Sequence, residues 1–282
     1  MTTNLFSRST PWDLRTRTLM TILACITFFA VIFISAWLYG EQGQVTNLGL
    51  RKLPPSWERP FGTDWLGRDM LARTLKGLRL SLSVGLTAAA CSAFIALLFG
   101  LAAAMLGRTV DLIVTWLVDV GMAVPHLVLL ILISFACGGG AKGVIIAVAA
   151  SHWPSLTRVI RAEILQLRSA DYIKLSRQFG KGPYWIARRH LLPHVIPQFV
   201  VGMLLLFPHT ILHAAGLTFL GFGMSPHTPA IGVLLAESMR YLSMGLWWLA
   251  VAPGIALIVS VKVFDMLGNN FRALLDPRTS QE

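Results

Sequence analysis

Long uncharged stretches alternate with short polar ones along this chain, and their lengths set its architecture. Leu19 to Leu38 carries no charged residue, about the twenty residues that a helix needs to cross a bilayer core. Leu80 to Gly107 is also uncharged, with small residues at Gly85, Ala89, Ala93, Ala96 and Gly100, as expected of a helix packed closely on others within a membrane. A third stretch runs from the Gly107-Arg108 turn through Pro125 to Cys137, and a fourth from Gly143 to about Arg158. Leu191 to Ala236 holds no Asp, Glu, Lys or Arg, but Gly221, Gly223, Pro226 and Pro229 interrupt it. A fifth span therefore ends near Gly216 to Gly221, and the remainder is re-entrant or lies on the surface. Tyr241 to Val261 supplies the last span. The pattern predicts an all-α membrane protein with six transmembrane helices. Its parts are a segment 1–18, a first span 19–38, a polar connection 39–79 and a five-helix core 80–282 that contains a basic loop at 164–194.

Composition agrees with that reading. Apolar residues make up 55% of the 282 and charged ones 13%, against about a quarter charged in soluble domains. The net charge of +11 arises from basic residues beside apolar spans, where they set topology or meet anionic lipid, and not from a nucleic-acid surface. With the N-terminus inside, basic residues outweigh those on the outer side, so both termini and the 164–194 loop are placed in the cytoplasm and 39–79 outside. The first apolar stretch is too long for a cleaved signal, and it ends in Ser35-Ala36-Trp37-Leu38-Tyr39-Gly40, so it is read as a retained span. Cys25, Cys91 and Cys137 all lie in apolar runs without CxxC spacing and are read as small core residues.

The segment Ser169 to Pro193 stands apart from the spans. Lys174, Arg177, Lys181, Arg188 and Arg189, with Arg168 just before them, face a single acid, Asp171, so the segment cannot lie in a bilayer core. Ile173, Leu175, Phe179, Trp185, Ile186 and Leu191 nonetheless scatter apolar surface through it, more than a solvated linker carries. Asp171 to Phe179 reads as a short helix stopped by Gly180-Lys181-Gly182-Pro183, with a second short helix after it. A partner is expected to dock there.

That loop resembles the cytoplasmic "EAA" loop of ABC importer permeases, in which Glu-Ala-Ala is followed by Gly six residues after the Glu and later by Leu-Pro. The corresponding places hold Lys174-Leu175-Ser176, Gly180 and Leu192-Pro193, with Lys standing where the family has Glu. Pro60-Phe61-Gly62-Thr63-Asp64-Trp65-Leu66-Gly67-Arg68-Asp69 looks like the "PFGTDxLGRD" signature of the dipeptide, oligopeptide and nickel permease subfamily. Taken for its local chemistry alone, the same string reads as two glycine turns with capping aspartates. Thr218-Phe219-Leu220-Gly221-Phe222-Gly223 with Pro226 and Pro229, and the stretch from Val263 to Gly268 with Leu275-Asp276-Pro277-Arg278, resemble two further subfamily segments. The resemblance implies a type I importer permease whose Asp171, Tyr172, Lys174, Ser176, Arg177, Gly180, Pro183 and Trp185 couple it to a separate ATPase. It also implies a second homologous permease, two cytoplasmic ABC ATPases that bind ATP and Mg, and an extracytoplasmic substrate-binding protein in a bacterial inner membrane.

The chain's own residues fit a non-catalytic subunit. Gly138 to Gly143 reads GGGAKG, and no GxxxxGK[ST] occurs to cradle a nucleotide. His209 and His213 lie at i and i+4 on one helical face, the spacing at which two imidazoles can share a metal or bond neighbouring helices. Thr210 follows the first His where a metallopeptidase needs Glu, which excludes that hydrolysis. Asp111 and Asp119 share a face, and Asp119 is either a helix–helix anchor or part of a route. Met122, Met203 and Met224 are read as packing residues. His209-Thr210-Ile211-Leu212-His213 and Ser151-His152-Trp153 resemble spans of nickel permeases, which implies a translocation path along His209, His213, His152 and Asp119, with transient metal contact at His209 and His213. Nickel, free or chelated, is the expected cargo and a di- or oligopeptide the alternative; a scaffold that only anchors an ATPase would leave these histidines without a use.

Overall fold

The computed structural model describes residues 14–40 and 44–275; Arg8 and the Asp276-Pro277-Arg278 ending lie outside them. Ten α-helices follow one another: α1 (Leu14–Leu38), α2 (Met70–Met105), α3 (Arg108–Ala123), α4 (His126–Ala136), α5 (Gly140–Arg168), α6 (Asp171–Gln178), α7 (Pro183–Ile186), α8 (Leu192–Phe219), α9 (Ile231–Leu242) and α10 (Trp248–Leu275). The described residues form no strand, only an isolated bridge between Thr63 and Asp69. Among the described residues five helices are long and apolar enough to cross a membrane, and α3 with α4 makes a sixth span if the bent pair is counted as one.

The small-residue stripe of α2 sets the packing. Gly85, Ala89, Ala93, Ala96 and Gly100 are all buried, and α2 lies against α5 and α8. A Cβ on Gly100 would come within 2.7 Å of Ile160 Cγ2 on α5, and one on Gly85 within 3.1 Å of Ile211 Cβ on α8. Close backbone approach of this kind is how helices associate when lipid is as apolar as their own side chains. Ile160, Ile164, Leu191 and Val195 pack with Ala93 and Ala96 at one end of the bundle; Leu82, Phe207, Ile211 and Ile231 fill another core. The first span, α1, packs on α10 and α2 from outside, and its Leu23 and Trp37 stay exposed on the outward face.

Helix ends depart from the uncharged stretches. Asp69 caps α2, its Oδ1 accepting from the backbone N–H of Leu71 at 2.7 Å and of Ala72 at 3.3 Å, so the helix starts at Met70 and carries Arg73, Lys76 and Arg79 before its apolar part. A capped helix can begin outside the bilayer, where hydropathy gives no signal. Likewise α5 and α10 continue well past Arg158 and Val261. Gly245, at φ +80°, separates α9 from α10, which sets the start of the last span at Trp248 instead of Tyr241. Two of the three cysteines are also placed differently: Cys25 is buried, whereas Cys91 and Cys137 are exposed. Apolar runs on the periphery of a bundle present half their residues outward, so an apolar neighbourhood in sequence does not imply burial.

Pro125 breaks the third span. It has no N–H to donate to the preceding turn, and its ring disfavours helical backbone at the residue before it; Val124 is accordingly extended (φ −79°, ψ 135°). The axes of α3 and α4 meet at 99°. Pro154, Pro197, Pro208 and Pro253 remain inside continuous helices.

Candidate functional site

Three elements deliver three histidines to one point. The break at Pro125 puts His126 on the first turn of α4, His152 comes from mid-α5, and His213 from α8. Their ring centroids are 4.6 Å (His126–His152), 4.5 Å (His126–His213) and 5.1 Å (His152–His213) apart, each pair close to edge-on. One ring nitrogen from each falls within 4.8 Å of the others.

Hydrogen bonds fix which nitrogens are free. His152 Nδ1 lies 3.0 Å from the carbonyl of Val148 and 3.0 Å from Ser151 Oγ, and His213 Nδ1 lies 2.8 Å from the carbonyl of His209. A carbonyl can only accept, so both Nδ1 atoms carry the proton and both Nε2 atoms present a lone pair. His152 Nε2 and His126 Nε2 are buried without a hydrogen-bond partner. A cavity of about 440 Å³ opens beside them, lined by Met122, Pro125, His126, Ser151 and His152.

The i,i+4 pair read from the sequence is divided. His213 joins the cluster, whereas the His209 side chain, one turn away, lines a second cavity of about 390 Å³ with Gln198, Gly202 and Arg272. His209 contributes its backbone carbonyl to the cluster and not its ring. Ser155 borders both cavities, so they adjoin along α5. His126 is absent from the sequence-based set; the signal that points to it is its place directly after the lone proline of the third span.

Asp119 is engaged elsewhere. Its Oδ1 accepts from Arg158 Nη2 at 2.6 Å, while Asp111 takes Arg161 Nε at 2.5 Å and Nη2 at 2.7 Å. The two pairs tie α3 to α5, and Asp119, Arg158 and Arg161 border a third cavity, whose lining holds no histidine. An ion pair between helices is the contact that the anchoring reading of Asp119 describes.

At the other end, α6 and α7 form a helical hairpin. Gly180 takes φ +73°, the left-handed conformation that ends a helix at little cost only for glycine. Ile173, Ile186 and Leu191 anchor the hairpin in the α2–α5 core. Arg168, at the end of α5, donates to the Ala104 carbonyl near the end of α2. Tyr172, Leu175, Phe179 and Tyr184 remain exposed, and Trp185 is held at its border with Lys181 Nζ 5.1 Å from its ring centre. Ser176 Oγ contacts His190 Nε2 at 3.1 Å. Lys174, at the family's Glu position, donates to Asp171 Oδ1 at 2.9 Å, and this holds the Asp171 carboxyl below the usual carboxylate range. Arg177, Lys181 and Pro183 line a basic recess of about 210 Å³ with Arg168.

The 44–73 connection is closed on itself. Asp64, almost fully buried, accepts from the backbone N–H of Leu66 and Arg68, from Arg68 Nε at 2.6 Å and from Arg73 Nη1 at 2.7 Å. Arg73 Nη2 also reaches Glu237 on α9 at 2.9 Å. The local reading of the Pro60–Asp69 string is visible here, since Gly62 and Gly67 take positive φ, Asp64 caps a turn and Asp69 caps α2.

Comparison with known proteins agrees with this architecture. Residues 96–281 match the family described as the binding-protein-dependent transport system inner membrane component. A putative peptide transport system permease protein of Brucella abortus is 35% identical over 93% of this chain and 87% of its own length. The dipeptide transport system permease protein of Bacillus subtilis is 32% identical over 89% of this chain and 78% of its own. Among solved structures, the inward-facing MetNI methionine ABC transporter superposes with a TM-score of 0.60 at 20% identity, covering 73% of this chain and 98% of that one, a likeness that speaks for the fold. With its helical core and relatives along nearly its whole length, this chain belongs to the inner-membrane permease family of binding-protein-dependent ABC importers.

Proposed function

We propose that this chain is one transmembrane half of an ATP-driven importer for di- or oligopeptides. The observation that carries the reading is the similarity over 93% of the chain to proteins named as peptide transport permeases. In this reading a second permease completes the path, an extracytoplasmic binding protein delivers the cargo, and two cytoplasmic ATPases holding ATP and Mg seat on the α6–α7 hairpin. Asp171, Tyr172, Lys174, Ser176, Arg177, Gly180, Pro183 and Trp185 then make the coupling surface. The exposed apolar side chains of the hairpin support this, because a patch of that kind on a rigidly anchored element is a docking surface and transmits closure of its partner as rigid-body motion of the helices. Both termini lie in the cytoplasm, on the side of the hairpin.

The adjoining cavities bordered by His126, His152, Ser155 and His209 support a path along α5 and α8. A second reading, nickel in free or chelated form, is favoured by the histidines themselves, since imidazole suits late transition metals. Uptake of labelled dipeptide and of radioactive nickel by cells that carry the full transporter, against cells lacking this chain, separates the two. Dipeptide uptake that depends on the chain is expected; nickel uptake alone would replace the first reading by the second. Orientation is checked with single cysteines at Ser56 and Ser169 in a background without the native three. An impermeant reagent applied to intact cells should label the first and spare the second, and the reverse pattern would overturn the topology.

A further inference from the structure

We propose that His126, His152 and His213 bind one late first-row divalent metal ion. The inference deepens the metal reading above and rests on it only for the ion's role as cargo; occupancy of the site stands apart from what is transported. Three independent features of the structure converge on it.

The donors are oriented. His152 and His213 each give Nδ1–H to a backbone carbonyl, of Val148 and His209, which leaves Nε2 as a lone pair and fixes the ring. Metal-ligating histidines are held by the same arrangement. The donors are also unsatisfied: Nε2 of His126 and of His152 are buried with no partner, a state that normally costs about 1–3 kcal/mol for a polar group and that coordination removes. Finally, the donors are close. Their nitrogens lie within 4.8 Å of one another, and ligand bonds of about 2.0–2.1 Å in tetrahedral geometry need nitrogens roughly 3.3 Å apart. A contraction on the order of 1 Å, which rotation about the side-chain torsions of the three histidines can supply, closes the triangle.

The chemistry of the set narrows the occupant. No carboxylate or thiolate joins the cluster among the described residues, so the site offers three neutral nitrogens and no charge to offset a divalent cation. Hard ions that take oxygen ligands are excluded, while nickel, cobalt and zinc accept imidazole. Three ligands leave coordination positions open, and the 440 Å³ cavity that His126 and His152 line lies beside the cluster. An ion that arrives with its own anionic chelator, a small carboxylate-bearing molecule, fills those positions and supplies the missing charge. The separation from His209 follows from the same geometry: its ring lies about 6 Å further along α8, one helical turn away, and its contribution is the carbonyl that orients His213.

Full-length protein assembled with its partner permease in lipid nanodiscs is titrated with cobalt(II) and, by equilibrium dialysis, with radioactive nickel. One ion per chain is expected, with the visible absorption of nitrogen-ligated cobalt. His126→Leu, His152→Leu and His213→Leu should each weaken binding by roughly tenfold or more, on the scale of lost metal-site contacts. His209→Leu should bind as the unaltered protein does, because only its carbonyl is used. His→Gln at each of the three positions keeps a polar group and serves where the Leu variant fails to assemble. Binding no stronger than that of the triple Leu variant, or a loss with His209→Leu as large as with His213→Leu, would overturn the site. Dipeptide uptake by the unaltered transporter tests the peptide reading separately from the occupancy of this site.

Discussion

In the 44–73 connection Asp64 is buried and saturated with hydrogen bonds, whereas in the α6–α7 hairpin Phe179 and Tyr184 are 79% and 77% exposed. The glycines repeat the contrast. A Cβ on Gly67 would meet the Asn47 carbonyl oxygen at 1.8 Å, while a Cβ on Gly180 meets nothing within 4 Å. Both connections carry family signatures, yet one encodes its own closure and the other a surface that none of the described residues covers. A short signature therefore reports two different constraints: in the first, contacts within the molecule, and in the second, under the function proposed above, complementarity to another.

Substitutions that break this comparison differ in size. The largest effect is expected from Asp64→Ala, which removes the carboxylate shared by Arg68 and Arg73 and leaves Glu237 as the remaining partner of Arg73, and should destabilise the protein by about 3 kcal/mol; Gly67→Ala should act similarly through its backbone clash. Thermal unfolding of the purified chain measures both, and a melting temperature unchanged by Asp64→Ala would remove the network from the stability argument. At Gly180 the expectation is smaller for the fold and larger for function. A residue with Cβ at φ +73° costs about 1–2 kcal/mol, and Gly180→Trp should lose ATPase co-purification and uptake while the chain stays folded; normal values for both would remove the hairpin's coupling role.

Phe179→Ala and Tyr184→Ala sharpen the point further. Melting should shift by less than about 0.5 kcal/mol, the scale of surface changes, while ATP hydrolysis coupled to transport falls. Equal losses of stability and coupling would mean that these rings pack within the chain. Lys174→Ala should have the smallest effect on folding, with melting unchanged. The Asp171 carboxyl is held down first by its hydrogen bond from Lys174 and then by the lysine charge. Its contribution is therefore present at neutral pH and fades as acid takes the pH down through that lowered pKa. Full exposure leaves the contribution small, so a clear change in the acid limb of the stability curve on Lys174→Ala would contradict this account.

How much was legible in advance follows from the physics of each feature. The spans were legible because a bilayer demands about twenty apolar residues in a row, and the small-residue stripe on α2 identified its packing face. The hairpin was legible from Gly180 and its basic residues, since helix stops are local. The 99° corner was not, because Pro125 announces a break but not its direction, and Pro154, Pro208 and Pro253 stay within helices whose neighbours support them. The cluster was half legible. His213 and His152 stood out, but His126 shares no spacing with either, and tertiary folding alone brings it to them. His209 shows the converse, since i,i+4 spacing gives a common face without a common destination.

The corner at Pro125 also has the geometry of a pivot. Helix α4 is 11 residues long, or about 16 Å at 1.5 Å per residue. A swing of about 10° around the corner carries Ala136, at the far end of that lever arm, through roughly 3 Å, but moves the backbone of His126, beside the fulcrum, by less than about 0.5 Å. The tip of α4 can travel with a transport cycle while the histidine at its root keeps its station.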